Sequence, residues 1–290
     1  MSKTIFKGAA SALITPFFEG EIDFTSLGAL IDDQIKRGIA ALVVSGTTGE
    51  SATLSDEEKA ALYEFSVRRV GGRVPVIAGS GTNDTRRAVE LSRAAERAGC
   101  DALLVVTPYY NKASSEGLYR HYKAIANATS LPCIAYNVPS RTGVNIPIEV
   151  LQRLSSEGLI TGLKEASGDL SRVAKIAAAC PELTLYSGND DQILPILALG
   201  GQGVISVVSN LLPEKTQRLC DAYFEGKTEE ARNIQLELLP LITLLFKDVN
   251  PIPVKYMLAS LGVCRPEYRL PLTKPQSELA SALALAALRL

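Results

Sequence analysis

The sequence predicts an α/β fold, a closed (β/α)8 TIM barrel followed by a C-terminal helical region. Three observations carry that prediction. Eight short apolar runs recur at spacings of roughly 20 to 35 residues, each ending in a small or polar residue. None has the apolar–polar alternation of a half-exposed sheet, and near-continuous apolar strands are what a parallel sheet covered on its outer face requires. Helix-like segments lie between the runs, and eight strand–helix units suit closure into a barrel. A doubly wound open sheet is the structural competitor, but no GxGxxG pattern follows the first run.

The first run, Ala9–Thr15, lies in an apolar N-terminal stretch that resembles a secretory leader. Pro16 interrupts it and no small-residue cleavage site follows, so it reads as a strand. The second run is Ala40–Gly46. After it, Ser55-Asp-Glu-Glu58 forms a capping box ahead of a helix over Lys59–Val70. The third run is Val74–Ser80, and Asn83 or Asp84 can cap a helix over Thr85–Ala98. Next come the run Ala102–Thr107 and a helix over Ser115–Ala128, then the run Cys133–Asn137 and a helix over Pro147–Ser155. The last three runs, Leu159–Lys164, Leu183–Ser187 and Gly203–Val208, are separated by helices over Leu170–Ala179 and Asp190–Leu199. After about residue 210 only helical patterns remain, at Pro213–Glu225, Glu229–Phe246, Pro253–Leu261 and Ser277–Leu290. The expected division is a catalytic barrel over 1–210 and a helical region over 211–290 packed against it.

The 290 residues are 47% hydrophobic and 21% charged, with a formal net charge of −1. That is an ordinary soluble composition, and no long basic run points to nucleic acid or an anionic membrane. The five cysteines are odd in number and widely spaced, which argues for reduced structural thiols rather than a disulfide frame or a zinc site. The Ala- and Leu-rich C-terminus is too short to span a bilayer. A cytoplasmic protein is expected.

In such barrels the active site forms at the carboxyl ends of the strands. Those ends collect Thr47, Thr48, Tyr110, Tyr136, Lys164 and Ile205, among others. Lys164 closes an apolar run, where an ammonium either finds a partner or loses its proton. A lysine with a lowered pKa carries a free amine that can attack a carbonyl and form a Schiff base. The bland alternative is a salt bridge to Glu165. Tyr136, just past the fifth strand, is either a proton shuttle for such an amine or a hydrogen-bonded core tyrosine. In Ser45-Gly-Thr-Thr-Gly-Glu50 the glycines let backbone N–H groups turn inward, a site for a carboxylate, although a plain strand–helix turn has the same composition. Gly79-Ser-Gly81 and Gly200-Gly-Gln-Gly203 are weaker anion candidates, and neither is a phosphate-loop pattern. Arg141 can clamp a carboxylate with its fork of donors. The only histidine, His121, lies in a helical segment away from any strand end, which leaves Ser-His-Asp, Cys-His and histidine-rich metal chemistry without their key residue.

Gly46-Thr-Thr-Gly-Glu50, Tyr136-Asn-Val-Pro-Ser-Arg-Thr-Gly143 and Lys164-Glu-Ala-Ser-Gly168, in that order and spacing, resemble the pyruvate-dependent class I aldolase family. The resemblance runs from Gly8 to Asn250-Pro-Ile-Pro-Val-Lys255. It implies a lyase in which pyruvate is held as a Schiff base on Lys164 and condensed with L-aspartate 4-semialdehyde. The product would be 4-hydroxy-tetrahydrodipicolinate, in the first committed step of the diaminopimelate and lysine route. By the same resemblance Tyr136 donates and accepts protons with Thr47 and Tyr110, Thr48 and the backbone at Ile205 hold the pyruvate carboxylate, and Arg141 receives the second substrate. It further implies that Tyr110 reaches a neighbouring subunit in a tetramer built of two dimers, and that no metal or organic cofactor takes part. N-acetylneuraminate lyases and 2-keto-3-deoxy-sugar acid aldolases would share Lys164 and Tyr136 and are the nearest alternatives. A non-catalytic keto-acid binder and a metal-dependent aldolase are more distant ones.

Members of this family that respond to lysine bind it between subunits near positions equivalent to Ser51, Ala52, Asn83 and Tyr109. Here Asp56 and Lys59 replace two histidines and Arg87 replaces a glutamate. The two added cations imply weak or absent lysine feedback.

Overall fold

The computed structural model describes residues 4–290. It is a (β/α)8 barrel with additional C-terminal helices. The strands are β1 (Gly8–Ala12), β2 (Phe17–Phe18), β3 (Glu21–Ile22), β4 (Ala41–Val44), β5 (Val76–Gly79), β6 (Ala102–Val106), β7 (Cys133–Asn137), β8 (Gly162–Glu165), β9 (Thr184–Ser187) and β10 (Gly203–Ser206). All but β2 and β3 form one closed, all-parallel sheet in which β10 pairs back onto β1. The short β2–β3 hairpin lies outside the barrel.

Strand residues alternate between the barrel interior and the surrounding helices. Ala10, Val43, Leu104, Ile134 and Ile205 pack in the interior, while Leu42, Val105, Leu163 and Val204 belong to the larger core beneath the helices. The interior is sealed below by Phe6, whose ring stacks on Tyr186 with centroids 4.3 Å apart. The Tyr186 hydroxyl donates to the Phe6 carbonyl at 2.9 Å, which satisfies its buried polar end. Everything above this plug is free to serve a site at the opposite end.

The expected strands and helices occur, with ends displaced by a few residues. The capping box is present, Ser55 accepting from the Glu58 N–H at 3.1 Å and Glu58 from the Ser55 N–H at 2.8 Å; the helix begins at Asp56. Asp84 rather than Asn83 caps Thr85–Ala98. One long helix has no counterpart in the sequence reading. Phe24–Lys36 connects β1 to β4 across the hairpin and buries Leu27, Leu30, Ile31 and Gln34. Asp23 caps it by accepting from the Ser26 N–H at 3.0 Å. Its signal, a capping aspartate ahead of apolar residues at helical spacing, is masked by the continuous apolar N-terminal stretch before it.

Helix Pro213–Phe224 packs against β1, where the Ala9 N–H donates to Gln217 Oε1 at 2.8 Å. Helices Thr228–Leu245, Ile252–Ser260 and Ser277–Ala287 follow. The segment from Asn250 onward returns to the carboxyl ends of the strands and contributes to the site.

Closure depends on close approach of β1 and β10. Gly203 has φ +156°, and a Cβ there would lie 1.8 Å from the Gly8 carbonyl oxygen. Gly203→Ala must therefore push the closing strands apart, with an expected loss of roughly 2–3 kcal/mol of stability, the cost of overpacking a tight contact. Urea denaturation checks this, a lower midpoint with unchanged slope being the expected result.

Candidate active site

Lys164 lies on an inward position of β8, two residues above Gly162, and is 5% exposed. It is directly opposite Tyr136 on β7 and Tyr186 on β9. Its Nζ lies 4.3 Å from the centre of the Tyr136 ring, and no carboxylate pairs with it among the described residues. The salt bridge to Glu165 does not form, because alternation turns Glu165 outward. There Glu165 accepts from Asn137 Nδ2 at 2.9 Å and 3.0 Å and pairs with Arg172 at 3.4 Å. Desolvation pulls the Lys164 amine down to about 8, helped by the Arg141 charge and opposed by the Asp190 carboxylate.

Burial raises the Tyr136 phenol above its ordinary range, while Arg141 and the Thr47 side chain draw it back. The phenol thus carries its proton at neutral pH, as a proton donor must. Thr47 and Thr48 follow β4 in a turn where Glu50 adopts a left-handed conformation, φ 55°. Thr48 is buried and its hydroxyl accepts from Asn250 Nδ2 at 3.0 Å. That contact occupies a lone pair and leaves the hydroxyl hydrogen available to donate. Ile205 is on β10, paired with Ala10 of β1.

Arg141 is exposed on the short helix Pro139–Thr142, with Nη2 donating to the Asn250 carbonyl at 3.2 Å. Asn250 therefore joins the Thr48 turn to the Arg141 loop. A cavity of about 280 Å³ opens beside them, lined in part by Thr47, Val138, Arg141 and Asn250 and continuing to Ser51, Ala52 and Tyr109. A second hollow of about 360 Å³ lies beyond the end of β8, by Ala166 and Asp190. The larger hollow at the opposite end of the barrel, about 650 Å³, is lined in part by Pro75, Asp101, Pro132 and Cys133, and no lysine lines it.

Lys164, Tyr136, Thr47, Thr48, Ile205 and Arg141 thus come together at one end of the barrel. Tyr110 does not join them within the chain: it is 91% exposed and has φ 73°. Asn83 is not among the residues lining the cavity that takes in Ser51, Ala52 and Tyr109. Asp56 pairs with Arg87 at 2.8 Å, so Lys59 is the one unpaired cation of the two expected there. Gly79 and Gly81 are sites of close backbone approach, to Ser45 and Val106, rather than an anion loop. Gly200–Gln202 precedes β10 and Gly203 begins it, at the end remote from Lys164. His121 is buried in helix Ser115–Ala126, its Nδ1 2.9 Å from Thr85 Oγ1, and burial draws it down to about 4.

Three features escape the sequence reading. Asp190 is buried, accepts from the Val207 and Val208 N–H groups at 3.0 Å and 2.9 Å, and keeps Oδ1 without a partner. Asn250 is the bridge described above. Lys255 and Glu50 form an ion pair at 2.6 Å, with both side chains fully buried. The Lys255 Nζ also lies 4.1 Å from the centre of the Phe17 ring, and Glu50 accepts from the Arg269 N–H at 3.2 Å. This pair fixes the turn that presents Thr47 and Thr48.

Comparison with known proteins gives a consistent result. The model of the dihydrodipicolinate synthetase family matches residues 5–287. The 4-hydroxy-tetrahydrodipicolinate synthase of Alkaliphilus oremlandii is 51% identical over 276 residues, covering 95% of each chain. The dihydrodipicolinate synthase structure from Aquifex aeolicus superimposes with a TM-score of 0.96 at 43% identity, over 98% of each chain. A structure of the Acinetobacter baumannii dihydrodipicolinate synthase complexed with pyruvate gives 0.95 at 40% identity, over 99% of this chain and 98% of that one.

Two predictions arise from this geometry. Lys255→Met leaves Glu50 buried and unpaired and should cost roughly 3–5 kcal/mol in denaturant unfolding, most of which the double variant with Glu50→Gln recovers. Lys164 binds its proton less tightly folded than unfolded, so its burial penalty is fully present below pH 8 and fades as pH rises through about 8 toward 10.5. Isotopic reductive methylation followed by mass spectrometry should show Lys164 half-reactive at about pH 8.

Proposed function

Since the chain belongs to the dihydrodipicolinate synthetase family, we propose that it is a lyase of the 4-hydroxy-tetrahydrodipicolinate synthase type, condensing pyruvate with L-aspartate 4-semialdehyde on Lys164. The observation that carries this reading is the buried, carboxylate-free Lys164 amine against the Tyr136 ring. With the amine near pH 8, roughly a tenth of the molecules hold it uncharged at neutral pH, against about one in three thousand for an ordinary lysine.

The Lys164 lone pair attacks the pyruvate carbonyl, and loss of water from the carbinolamine leaves an iminium. Tyr136 supplies the proton for the departing hydroxyl and recovers one through Thr47. The iminium withdraws electrons from the adjacent methyl group, which loses a proton to give the enamine. That carbon attacks the aldehyde of the second substrate. The substrate's amino group then adds to the imine carbon, closes the ring and expels the Lys164 amine. Thr48, whose hydroxyl accepts from Asn250, and the backbone at Ile205 hold the pyruvate carboxylate. Arg141 spends one donor on the Asn250 carbonyl and keeps the rest of its five for the second carboxylate.

Tyr110, exposed on a single chain, acts in the site of a neighbouring subunit, and the working assembly is a tetramer built of two dimers. Among the described residues no helix is long and apolar enough to cross a membrane, and the substrates are water-soluble metabolites, which supports a cytoplasmic setting.

The test is a comparison of substrates. The enzyme should consume pyruvate only when aspartate 4-semialdehyde is supplied, and Tyr136→Phe should lower kcat by roughly 10²–10⁴-fold. Faster cleavage of an N-acetylneuraminate or 2-keto-3-deoxy-sugar acid would assign the chain to the other branch of its superfamily.

A further inference from the structure

Asp190 is the buried acid at the barrel mouth that the reaction as written does not use. It opens the single turn Asp190–Gln192 beyond β9 and is 2% exposed. Its Oδ2 accepts from the Val207 and Val208 N–H groups at 3.0 Å and 2.9 Å, which ties it to the end of β10, just past Ile205. Its backbone carbonyl accepts from Gln235 Nε2 at 2.9 Å, so the residue is fixed from two sides. Its Oδ1 nevertheless has no partner, and no cation pairs with the carboxylate among the described residues. A buried carboxylate with an oxygen left over is costly, and such a group calls for an explanation. The neighbouring acids supply none: Asp191 is exposed, and Glu165 is turned outward to Arg172.

The hollow beyond β8 places Asp190 beside Ala166, and Ala166 packs in the barrel interior with Tyr136, Tyr186 and Ile205. Lys164 stands two residues before Ala166. Of the charged side chains that act on Lys164, Asp190 is the acid and Arg141 the opposing cation. Burial raises the Asp190 carboxyl above its ordinary range, while the Ser206 side chain, the two N–H groups and the Lys164 charge draw it back. We propose that Asp190 is a positioning residue for the Schiff base, its carboxylate serving as the internal counter-charge of the iminium formed on Lys164. The proposal rests on the Schiff-base chemistry assigned to that lysine. An iminium that gives up its nitrogen proton becomes a neutral imine, a far weaker electron sink for the methyl group. A nearby anion keeps that proton in place. Direct contact would instead hold Lys164 as its ammonium and silence the nucleophile. A carboxylate tied to β10 and out of salt-bridge reach of Nζ meets both demands.

Asp190→Asn keeps the shape and an oxygen for the Val207 and Val208 N–H groups while removing the charge. Loss of a nearby anion favours the neutral amine. The pH at which Lys164 is half-reactive in reductive methylation should therefore fall from about 8, by roughly one unit or more. With pyruvate below saturation, cyanoborohydride reduces the iminium rather than the imine. At about pH 9 it should trap the Lys164 adduct roughly tenfold more slowly in the variant. At about pH 6 the two proteins should trap it at similar rates, because ammonium and iminium carry the same charge and lose the same stabilisation. Asp190→Ser, which can still accept from one N–H, reads the same quantities should the asparagine variant fail to fold. A methylation midpoint that stays in place, or trapping slowed equally at both pH values, marks a purely structural role and overturns the proposal. Absence of any pyruvate adduct in the unaltered protein instead removes the Schiff-base reading, and this proposal with it.

Discussion

The site depends on a single constraint of strand geometry, the two-residue alternation of β8. It sends Lys164 into the barrel and Glu165 out to Asn137 and Arg172, so that adjacent opposite charges never meet. A slip of one residue would place the carboxylate inside and the amine among the helices. The register between β7 and β8 then sets Tyr136 opposite Lys164, with no loop needed to bring them together. Burial penalises the ammonium, and with no carboxylate in contact the protein relieves that penalty by making the proton easier to lose. A residue that is poor for stability is thereby made nucleophilic.

The rest of the mouth is positioned from far along the chain. Lys255 neutralises Glu50 with both side chains fully buried, and Asn250 donates to Thr48 while accepting from Arg141. Arg269 adds a bidentate pair with Glu58 and covers the Phe17 ring at 4.5 Å. The C-terminal segment thus holds the turn that carries Thr47 and Thr48, and it does so through charged groups whose solvation has been given up. Such pairs are weak evidence for stability but define a geometry strictly, because either partner left alone is heavily penalised.

Much of this was legible in the sequence because it rests on local signals. Apolar runs, the Ser55–Glu58 box and the Asp84 cap are written in contiguous residues, and strand ends in a barrel share one mouth by topology. The placement of Lys164 and Tyr136 at one mouth was therefore legible without contacts. The pairing of Glu50 with Lys255 spans 205 positions and that of Thr48 with Asn250 spans 202, and no periodicity connects them. Asp190 opens an expected helix, and nothing local to it points to the Val207 and Val208 N–H groups, 17 and 18 positions on, from which it accepts. Arg87 counted as a free cation by residue type, whereas the fold gives it Asp56. Tyr110 shows the opposite limit: its exposure and left-handed backbone have no explanation inside one chain.

The central claim is that Lys164 is the nucleophile because it is buried without a carboxylate. Incubation with pyruvate, reduction with borohydride and peptide mapping by mass spectrometry test it directly. The account predicts one reduced pyruvate adduct, on Lys164, formed without any second substrate. An adduct on Lys255 or on a surface lysine, or no adduct with turnover intact, would contradict it.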